Sequence, residues 1–303
     1  MFNKLIANMI PLFPKKLIWV FSKRYIAGQN IDEAVSVSKK LNAKNMEITV
    51  DLLGEFISDL SEATKNKEEY LDIIERFEKE KIKGNYSLKP TSFGLLLDKD
   101  VCYNNVREIV AKAAEYNNFL RVDMEDSPCV DLEIEMFRKL KAEFPNNVGL
   151  VLQSYMRRTM KDVEDMMDMH TEESPLNFRL CKGIYVEPKE IAYKDYNEVN
   201  ENYIKILDYM LRNKIYVGIA THDKPLVKAA YELIEKYNVQ RDMYEFQMLY
   251  GVTPELRQSI VDKGHTMRVY VPFGNDWFGY STRRLKENPK MANHIIKALF
   301  VRG

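Results

Sequence analysis

The chain has 303 residues, enough to bury a large core in one barrel-sized domain or two smaller ones, and its 46% of hydrophobic residues is ordinary for a soluble globular protein. Lysine plus arginine number 45 and aspartate plus glutamate also number 45, so a formal charge of zero gives no electrostatic reason to expect a nucleic-acid partner. The three cysteines, Cys102, Cys129 and Cys181, lack metal-ligand spacing, and their odd number fits a reduced, cytoplasmic setting.

The first stretch of the chain, residues 1–28, is apolar with scattered lysines. Two prolines and two lysines between residues 11 and 16 interrupt it, and no small-residue cleavage site follows, so it resembles neither a signal peptide nor a bilayer-spanning helix. We expect an N-terminal helical segment, residues 1–40, packed on a main domain of residues 41–303. The alternative is a membrane-contacting face, because the apolar side chains of residues 12–21 lie beside four basic residues.

Beyond this segment, short β-rich runs alternate with longer helical patterns at spacings of roughly 25–40 residues, which suit one strand, one helix and their loops. No G-x-G-x-x-G follows the first run, which disfavours an open dinucleotide-binding sheet. The alternation predicts an α/β fold, a parallel (βα)8 TIM-like barrel. The predicted strands are Met46–Asp51, Tyr86–Lys89, Phe119–Asp123, Val148–Gln153, Phe178–Lys182, Ile215–Ala220, Tyr244–Gln247 and Met267–Val271. The predicted helices include Asp100–Asn117, Asp131–Phe144, Thr159–Met169, Asn197–Arg212 and Lys224–Tyr237.

Every predicted strand ends in polar, chargeable or aromatic side chains. The active sites of such barrels form at these C-terminal ends, where charges serve chemistry more often than stability. Single residues keep structural alternatives, because Lys89 and Asp123 can be a simple ion pair and His222 a buried structural histidine. Asp123, Glu125 and Asp126 are not expected to share a metal ion, since neighbours along a strand point to opposite sides.

The most informative stretch runs from Tyr270 to Glu287, after the last predicted strand. On a helix, Tyr280, Arg284 and Glu287 fall on one face, and Arg283 lies about a quarter turn away. Two guanidinium forks beside a phenol are a good trap for a carboxylate, and Glu287 can hold the fork of Arg284 in place. The alternative is a solvated basic helix end with one ion pair.

Taken in order, these strand ends resemble the proline dehydrogenase family, in its small monofunctional bacterial type. The resemblance covers nearly all of the chain beyond its first forty residues, and the segments are specific in combination. It implies a distorted (βα)8 barrel that holds non-covalent FAD, with the final helix over the barrel mouth. The similar segments are Asp51-Leu52-Leu53-Gly54-Glu55, Asp123-Met124-Glu125, Leu152-Gln153-Ser154-Tyr155, 179–189 (RLCKGIYVEPK), Ala220-Thr221-His222-Asp223, 245–251 (EFQMLYG), 269–274 (VYVPFG) and Arg283-Arg284-Leu285-Lys286-Glu287.

The resemblance also implies roles for single residues. Arg283 and Arg284 match the family's clamp on the proline carboxylate, and Glu287 matches the acid that orders this clamp. Lys89 and Asp123 match a charged pair at the floor of the pocket. The residues that match the enclosure of the substrate ring are Tyr270, Tyr280 and Leu249. The residues that match the flavin-binding positions are Gln153, Arg179, Lys182, Gly183, Ile184, Tyr185, Thr221 and His222.

The activity implied by the resemblance is oxidation of L-proline to Δ1-pyrroline-5-carboxylate, the first step of proline catabolism. Hydride would pass from C5 of proline to N5 of the flavin, where the Arg179 guanidinium is chemically suited to donate. The resemblance further implies that a membrane quinone takes the electrons. We therefore expect a cytoplasmic protein with transient peripheral contact at the inner face of the cell membrane, for which the N-terminal segment is the candidate docking face.

Three positions depart from the family pattern, and three other functions remain open. Cys181 replaces a commoner valine, Pro90 follows Lys89 where other residues are commoner, and Ile184 narrows the pocket beside the substrate, which bears on substrate preference. A lyase or aldolase barrel would use Lys89 or Lys182 as a Schiff-base amine. A flavin barrel similar to methylenetetrahydrofolate reductase fits the paired arginines poorly. A degenerate barrel that only binds proline or a partner would be expected to lose its strand-end residues.

Overall fold

The computed structural model describes residues 18, 19 and 22–281, and the structural statements below concern these residues. Eight parallel strands pair in sequence order, and the last pairs with the first to close a barrel. The predicted eight-stranded α/β barrel is confirmed. The strands are β1 (Glu47–Leu52), β2 (Gly84–Leu88), β3 (Leu120–Val122), β4 (Val148–Gln153), β5 (Asn177–Cys181), β6 (Tyr216–Ala220), β7 (Tyr244–Leu249) and β8 (Met267–Phe273).

Helices connect the strands on the outside of the barrel, and polar side chains fix where several of them begin. Asn30, Asp98 and Asp195 each accept hydrogen bonds from backbone N–H groups of the first turn that follows. The predicted helix Thr159–Met169 is shorter than expected, because its last turn tightens into a 3₁₀ helix. The α-helices that lie wholly within the described part are α1 (Ile31–Asn42), α2 (Leu60–Lys79), α3 (Lys99–Glu115), α4 (Val130–Glu143), α5 (Thr159–Asp165), α6 (Tyr196–Arg212), α7 (Lys224–Lys236) and α8 (Pro254–Asp262).

The apolar core lies between the strands and the surrounding helices, whereas the inside of the barrel is polar and charged. Alternation along a strand separates the two sets, as in β1, where Ile48 and Val50 join the apolar core and Thr49 and Asp51 face the other way. Arg179 of β5 bonds to side chains of β3 and β7, which are not its neighbours in the barrel. Such bonds cross the barrel interior, so charged groups meet there.

The described residues before α1 pack along the end of β8. The backbone N–H of Ala27 donates to the carbonyl of Pro272 at 2.9 Å, and the N–H of Gly274 donates to the carbonyl of Gly28 at 3.1 Å. The predicted boundary between an N-terminal segment and a barrel near residue 40 stays a prediction. In the part of the chain described here, no helix is long and apolar enough to cross a membrane.

Candidate active site

A cavity of about 530 Å³ opens at the C-terminal ends of the strands, within the size range of small-molecule sites. Every predicted site residue in the described part of the chain lines it: Lys89, Asp123, Gln153, Arg179, Lys182, Gly183, Ile184, Tyr185, Thr221, His222, Leu249, Tyr270 and Tyr280. Arg283, Arg284 and Glu287 lie outside the described residues. The lining residues that had no predicted role are Met124, Val151, Cys181, Ala220, Asp223, Gln247 and Met248.

Lys89 stands between two carboxylates at the floor of the cavity. Its ammonium lies 2.9 Å from Asp51 and 3.9 Å from Asp123, so the predicted partner is present but Asp51 is closer. Burial by itself would lower the pKa of Lys89, but the two carboxylates outweigh it and the pKa is raised above its usual value. Lys89 therefore stays a cation.

Asp123 is the point where four side chains of the floor meet. One carboxylate oxygen accepts from Arg179 at 2.8 Å and from the Ser87 hydroxyl at 2.5 Å, and the other accepts from Tyr270 at 2.9 Å. Burial and the neighbouring carboxylates raise the pKa of Tyr270 well above its usual value, so the phenol stays a donor. With Lys89, these contacts fix the carboxylate in one orientation.

Arg179 uses two of its three guanidinium nitrogens within the protein. Its Nε donates to the Gln247 side-chain oxygen at 2.6 Å, and Nη1 donates to Asp123. Its Nη2 is buried and has no hydrogen-bond partner among the described residues. A buried cationic donor without a partner is costly, so its position at the cavity suits an acceptor supplied by a ligand.

The loop after β5 brings backbone to the cavity wall at Gly183. This glycine has φ +109°, in the left-handed region that favours glycine, and a Cβ here would lie 2.2 Å from the Tyr155 ring. Tyr155 also donates its backbone N–H to the carbonyl of Lys182 at 2.8 Å. Only glycine fits this turn, so the backbone and not a side chain borders the cavity.

Lys182 and His222 line the cavity beyond the ends of β5 and β6. The Lys182 ammonium lies 2.6 Å from Asp223 and above the ring of Tyr196, whose hydroxyl donates to the same carboxylate. His222 Nε2 accepts from the backbone N–H of Leu249 at 2.9 Å, so a neutral ring carries its proton on Nδ1. Asp223 was named only as a strand end, but its contact with Lys182 gives it a part in this site.

Glu125 lies behind the cavity rather than in it. Its carboxylate accepts from the backbone N–H and the hydroxyl of Thr91, two residues after Lys89, and its backbone carbonyl accepts from Gln153. A second buried carboxyl, Glu133, accepts the N–H of Glu125. Burial raises the pKa of Glu125 to about 7 and that of Glu133 well above its usual value. These groups tie three strand ends together beneath the floor.

Comparison with known proteins points to one family. The profile of the family described as proline dehydrogenase matches residues 34–297. The proline dehydrogenase of Deinococcus radiodurans is 34% identical over 289 residues, which cover 94% of this chain and 92% of that protein. Proline dehydrogenase 2 of Bacillus subtilis is 34% identical over 280 residues, 92% of this chain and 90% of that protein.

Solved structures agree with these sequence matches. The proline utilization A (PutA) protein from Bdellovibrio bacteriovorus, in a crystal structure inactivated by N-propargylglycine, superposes with a TM-score of 0.83 at 29% identity. The superposition covers 88% of this chain and 32% of that one, so the chain spans about a third of that protein's length. PutA from Bradyrhizobium japonicum, at 22% identity and a TM-score of 0.74, has the same fold.

Proposed function

The chain belongs to the proline dehydrogenase family, and on this premise we propose that it oxidises L-proline to Δ1-pyrroline-5-carboxylate with FAD bound at the barrel mouth. The observation that carries the proposal is Arg179, a residue that lines the cavity and whose buried Nη2 has no hydrogen-bond partner among the described residues. An electron-accepting ring system placed against it would satisfy the donor and gain a fixed positive charge beside the atoms that become reduced.

The arrangement of residues around the barrel supports separate places for cofactor and substrate. The proposed FAD-binding residues follow β4, β5 and β6, which are neighbours, as in Gln153, Lys182 and Thr221. The proposed substrate residues come from β2, β3, β7 and β8, on the other side of the barrel. Arg179 lies on the cofactor side and bonds to Asp123 on the substrate side, so it is suited to stand where the two molecules meet.

We propose that Arg283 and Arg284 bind the proline carboxylate, as the family resemblance implies. Charge-assisted hydrogen bonds contribute roughly 1.5–3 kcal/mol each, and their main effect here is orientation of the ring. FAD, when bound, supplies at N5 the acceptor for hydride from C5 of proline. The amine must be neutral for this transfer, and the Lys89 ammonium at the cavity floor would disfavour the charged form of a substrate amine bound near it.

We also propose that a membrane quinone takes the electrons from the reduced cofactor. Apolar side chains at the edge of the mouth support this, because Ile184 borders the cavity and is 45% exposed, and Val186 nearby is 99% exposed. A protein that reacts with a lipid-soluble acceptor needs apolar surface near its cofactor. The rate with a short-chain quinone, compared with a water-soluble dye as acceptor, tests this choice.

The Schiff-base alternative is less well supported by the lysines themselves. A lysine nucleophile must lose its proton, and most such lysines have a lowered pKa. The pKa of Lys89 is raised instead, and Lys182 is held by Asp223 at 2.6 Å. Borohydride treatment in the presence of a carbonyl substrate is expected to leave both lysines unmodified.

A visible spectrum of the purified protein, followed by anaerobic addition of L-proline, tests the proposed function. We expect a flavin spectrum that bleaches with L-proline. A flavin spectrum indifferent to L-proline would keep the flavin barrel and reject the substrate. A protein that takes up no flavin after reconstitution with FAD would overturn the proposal and favour the lyase.

A further inference from the structure

We infer that Glu245, which does not line the cavity, is a positioning residue that fixes the orientation of the Gln247 amide and thereby the guanidinium of Arg179. The inference rests on the proposed function, because Arg179 is assigned there to the flavin. Three contacts carry it, and they form one chain through the barrel interior, from the cavity floor to the opposite end of the strands.

The chain of contacts begins on β7. Glu245 and Gln247 are two residues apart on this strand, so their side chains point to the same side, into the barrel. The Gln247 side-chain nitrogen donates to Glu245 at 2.6 Å, and its oxygen accepts from Arg179 Nε at 2.6 Å. Arg268 of β8 donates to both oxygens of Glu245 at 2.8 and 2.9 Å. All four residues are more than 90% buried.

The two neighbours leave the Gln247 amide only one orientation. An ionised carboxylate can only accept, so the amide nitrogen must face Glu245. A guanidinium can only donate, so the amide oxygen must face Arg179. The reversed amide would put a donor against Arg179 and an acceptor against Glu245, which leaves buried polar groups unpaired on both sides.

Arg268 keeps Glu245 in the ionised form that this orientation requires. Burial by itself would raise the pKa of Glu245, but the charge of Arg268 outweighs it and the pKa is lowered. Arg268 is held in turn by Glu47, at the exposed end of the barrel. The contacts that hold Arg179 therefore extend from the cavity floor to the other end of the barrel. The charge that keeps Glu245 ionised is that of Arg268, which does not line the cavity.

Gly218 of β6 makes room for the correctly oriented amide. A Cβ at this position would lie 2.4 Å from the Gln247 side-chain nitrogen and 2.9 Å from its carbonyl carbon. The backbone of Gly218 has no left-handed φ, so alanine would fit the strand and displace only the amide. Gly218→Ala therefore disturbs the same contact as Glu245→Gln without changing any charge.

The test uses sulfite, which adds reversibly to flavin N5 and leaves the flavin with negative charge, so its dissociation constant reports positive charge that the protein holds beside the flavin. In the FAD-loaded protein, Arg179→Met gives the sulfite dissociation constant expected when the guanidinium is lost altogether, and the other variants are compared with it. We expect Glu245→Gln and Gly218→Ala each to weaken sulfite binding roughly tenfold, because a guanidinium released from its anchor loses most of one charge-assisted hydrogen bond to the adduct. The matched control is Glu47→Gln, which removes the other carboxylate partner of Arg268 and should leave the sulfite dissociation constant unchanged.

The outcomes separate this inference from the function on which it rests. If Arg179→Met weakens sulfite binding but Gly218→Ala and a folded Glu245→Gln bind it like the parent protein, Glu245 does not position Arg179. If Glu47→Gln weakened sulfite binding as much as Glu245→Gln does, the effect would follow from removing any carboxylate beside Arg268. This result would also overturn the inference. A parent protein that takes up no FAD, or an Arg179→Met variant with unchanged sulfite affinity, overturns the proposed flavin site and the inference with it.

Discussion

The ammonium of Lys89 lies 2.9 Å from a carboxylate oxygen of Asp51, a side chain with no exposed surface, at the ends of two adjacent strands. Burial raises the pKa of Asp51, and the charge of Lys89 opposes this rise. Each group therefore depends on the other to stay ionised. Because Lys89 also lines the cavity, the pair sets the charge at the cavity floor.

We expect Asp51→Asn to lower the free energy of unfolding by about 3 kcal/mol, since it leaves a buried ammonium with only the more distant Asp123. Chemical denaturation at neutral pH measures this. The control is Asp32→Asn, which removes one of the two carboxylate partners of Arg76 from an exposed ion pair and should change stability little. Equal effects of the two substitutions would mean that the Asp51–Lys89 pair has no special part in the fold.

Gly183→Ala is expected to abolish flavin binding. The added methyl group would meet the Tyr155 ring, and the backbone at this position has a left-handed φ. Gly264→Ala is a matched control, because Gly264 also has a left-handed φ, at +75°, but has nothing within 4 Å of a Cβ. We expect the control to lose about 1 kcal/mol of stability and keep its flavin, as measured by thermal unfolding and by absorbance per protein. A flavin-replete Gly183→Ala would show that the loop tolerates a side chain at the cavity.

Two kinds of regularity made the barrel and the position of its site predictable from the sequence. Strand-like runs such as Val148–Gln153 recur between helical patterns, and parallel strands with helical crossovers close in few ways. The C-terminal ends of parallel strands meet at one end of the barrel. Strand-end residues such as Arg179 and Tyr270 therefore had to come together, and the 5.1 Å between the guanidinium and the ring reflects this.

The pairing of charges inside the barrel could not be predicted in the same way. Arg179 meets Gln247 across 68 positions of sequence and across the barrel interior. Which side chains reach one another there depends on strand tilt and stagger, which a pattern of alternating residues does not contain. For the same reason the sequence paired Lys89 with Asp123, and the closer contact with Asp51 became visible only in three dimensions.

The buried Glu125 should make the protein less stable as pH rises from about 4.5 to about 7. Burial raises its pKa to about 7, so the folded state holds a proton that the unfolded state releases near pH 4.5. The free energy of unfolding then falls through this window, by on the order of 3 kcal/mol, and the contribution of Glu125 levels off above it.

Glu125→Gln is expected to remove this contribution, because an amide does not titrate and can still accept from the Thr91 N–H. Its NH2 group can donate to the Thr91 hydroxyl oxygen, which reverses the hydrogen bond that the hydroxyl donates to the carboxylate. Urea unfolding at half-unit pH steps from 4.5 to 8 measures the difference between variant and parent. Glu232→Gln, on the exposed side of α7, is the control and should leave the pH profile unchanged. If the free energy of unfolding changed with pH in the same way in Glu125→Gln and in the parent protein, Glu125 would titrate normally in the folded protein.

Arg284→Lys tests the proposed carboxylate clamp, since lysine keeps the charge but lacks the fork that pairs with both carboxylate oxygens. Loss of one charge-assisted hydrogen bond of roughly 1.5–3 kcal/mol predicts a rise in apparent KM for L-proline of about 10- to 100-fold. FAD absorbance should stay at the parent level, because the substitution leaves the proposed flavin residues intact. Arg107→Lys replaces an arginine that also holds a carboxylate with its fork, since its Nε and Nη2 donate to the two oxygens of Glu143 on the protein surface, and should leave the KM unchanged. If Arg284→Lys keeps the parent KM while Arg179 and FAD remain in place, the carboxylate of proline is bound by other residues, and Lys89 becomes the candidate because it is the other cation of the cavity floor besides Arg179.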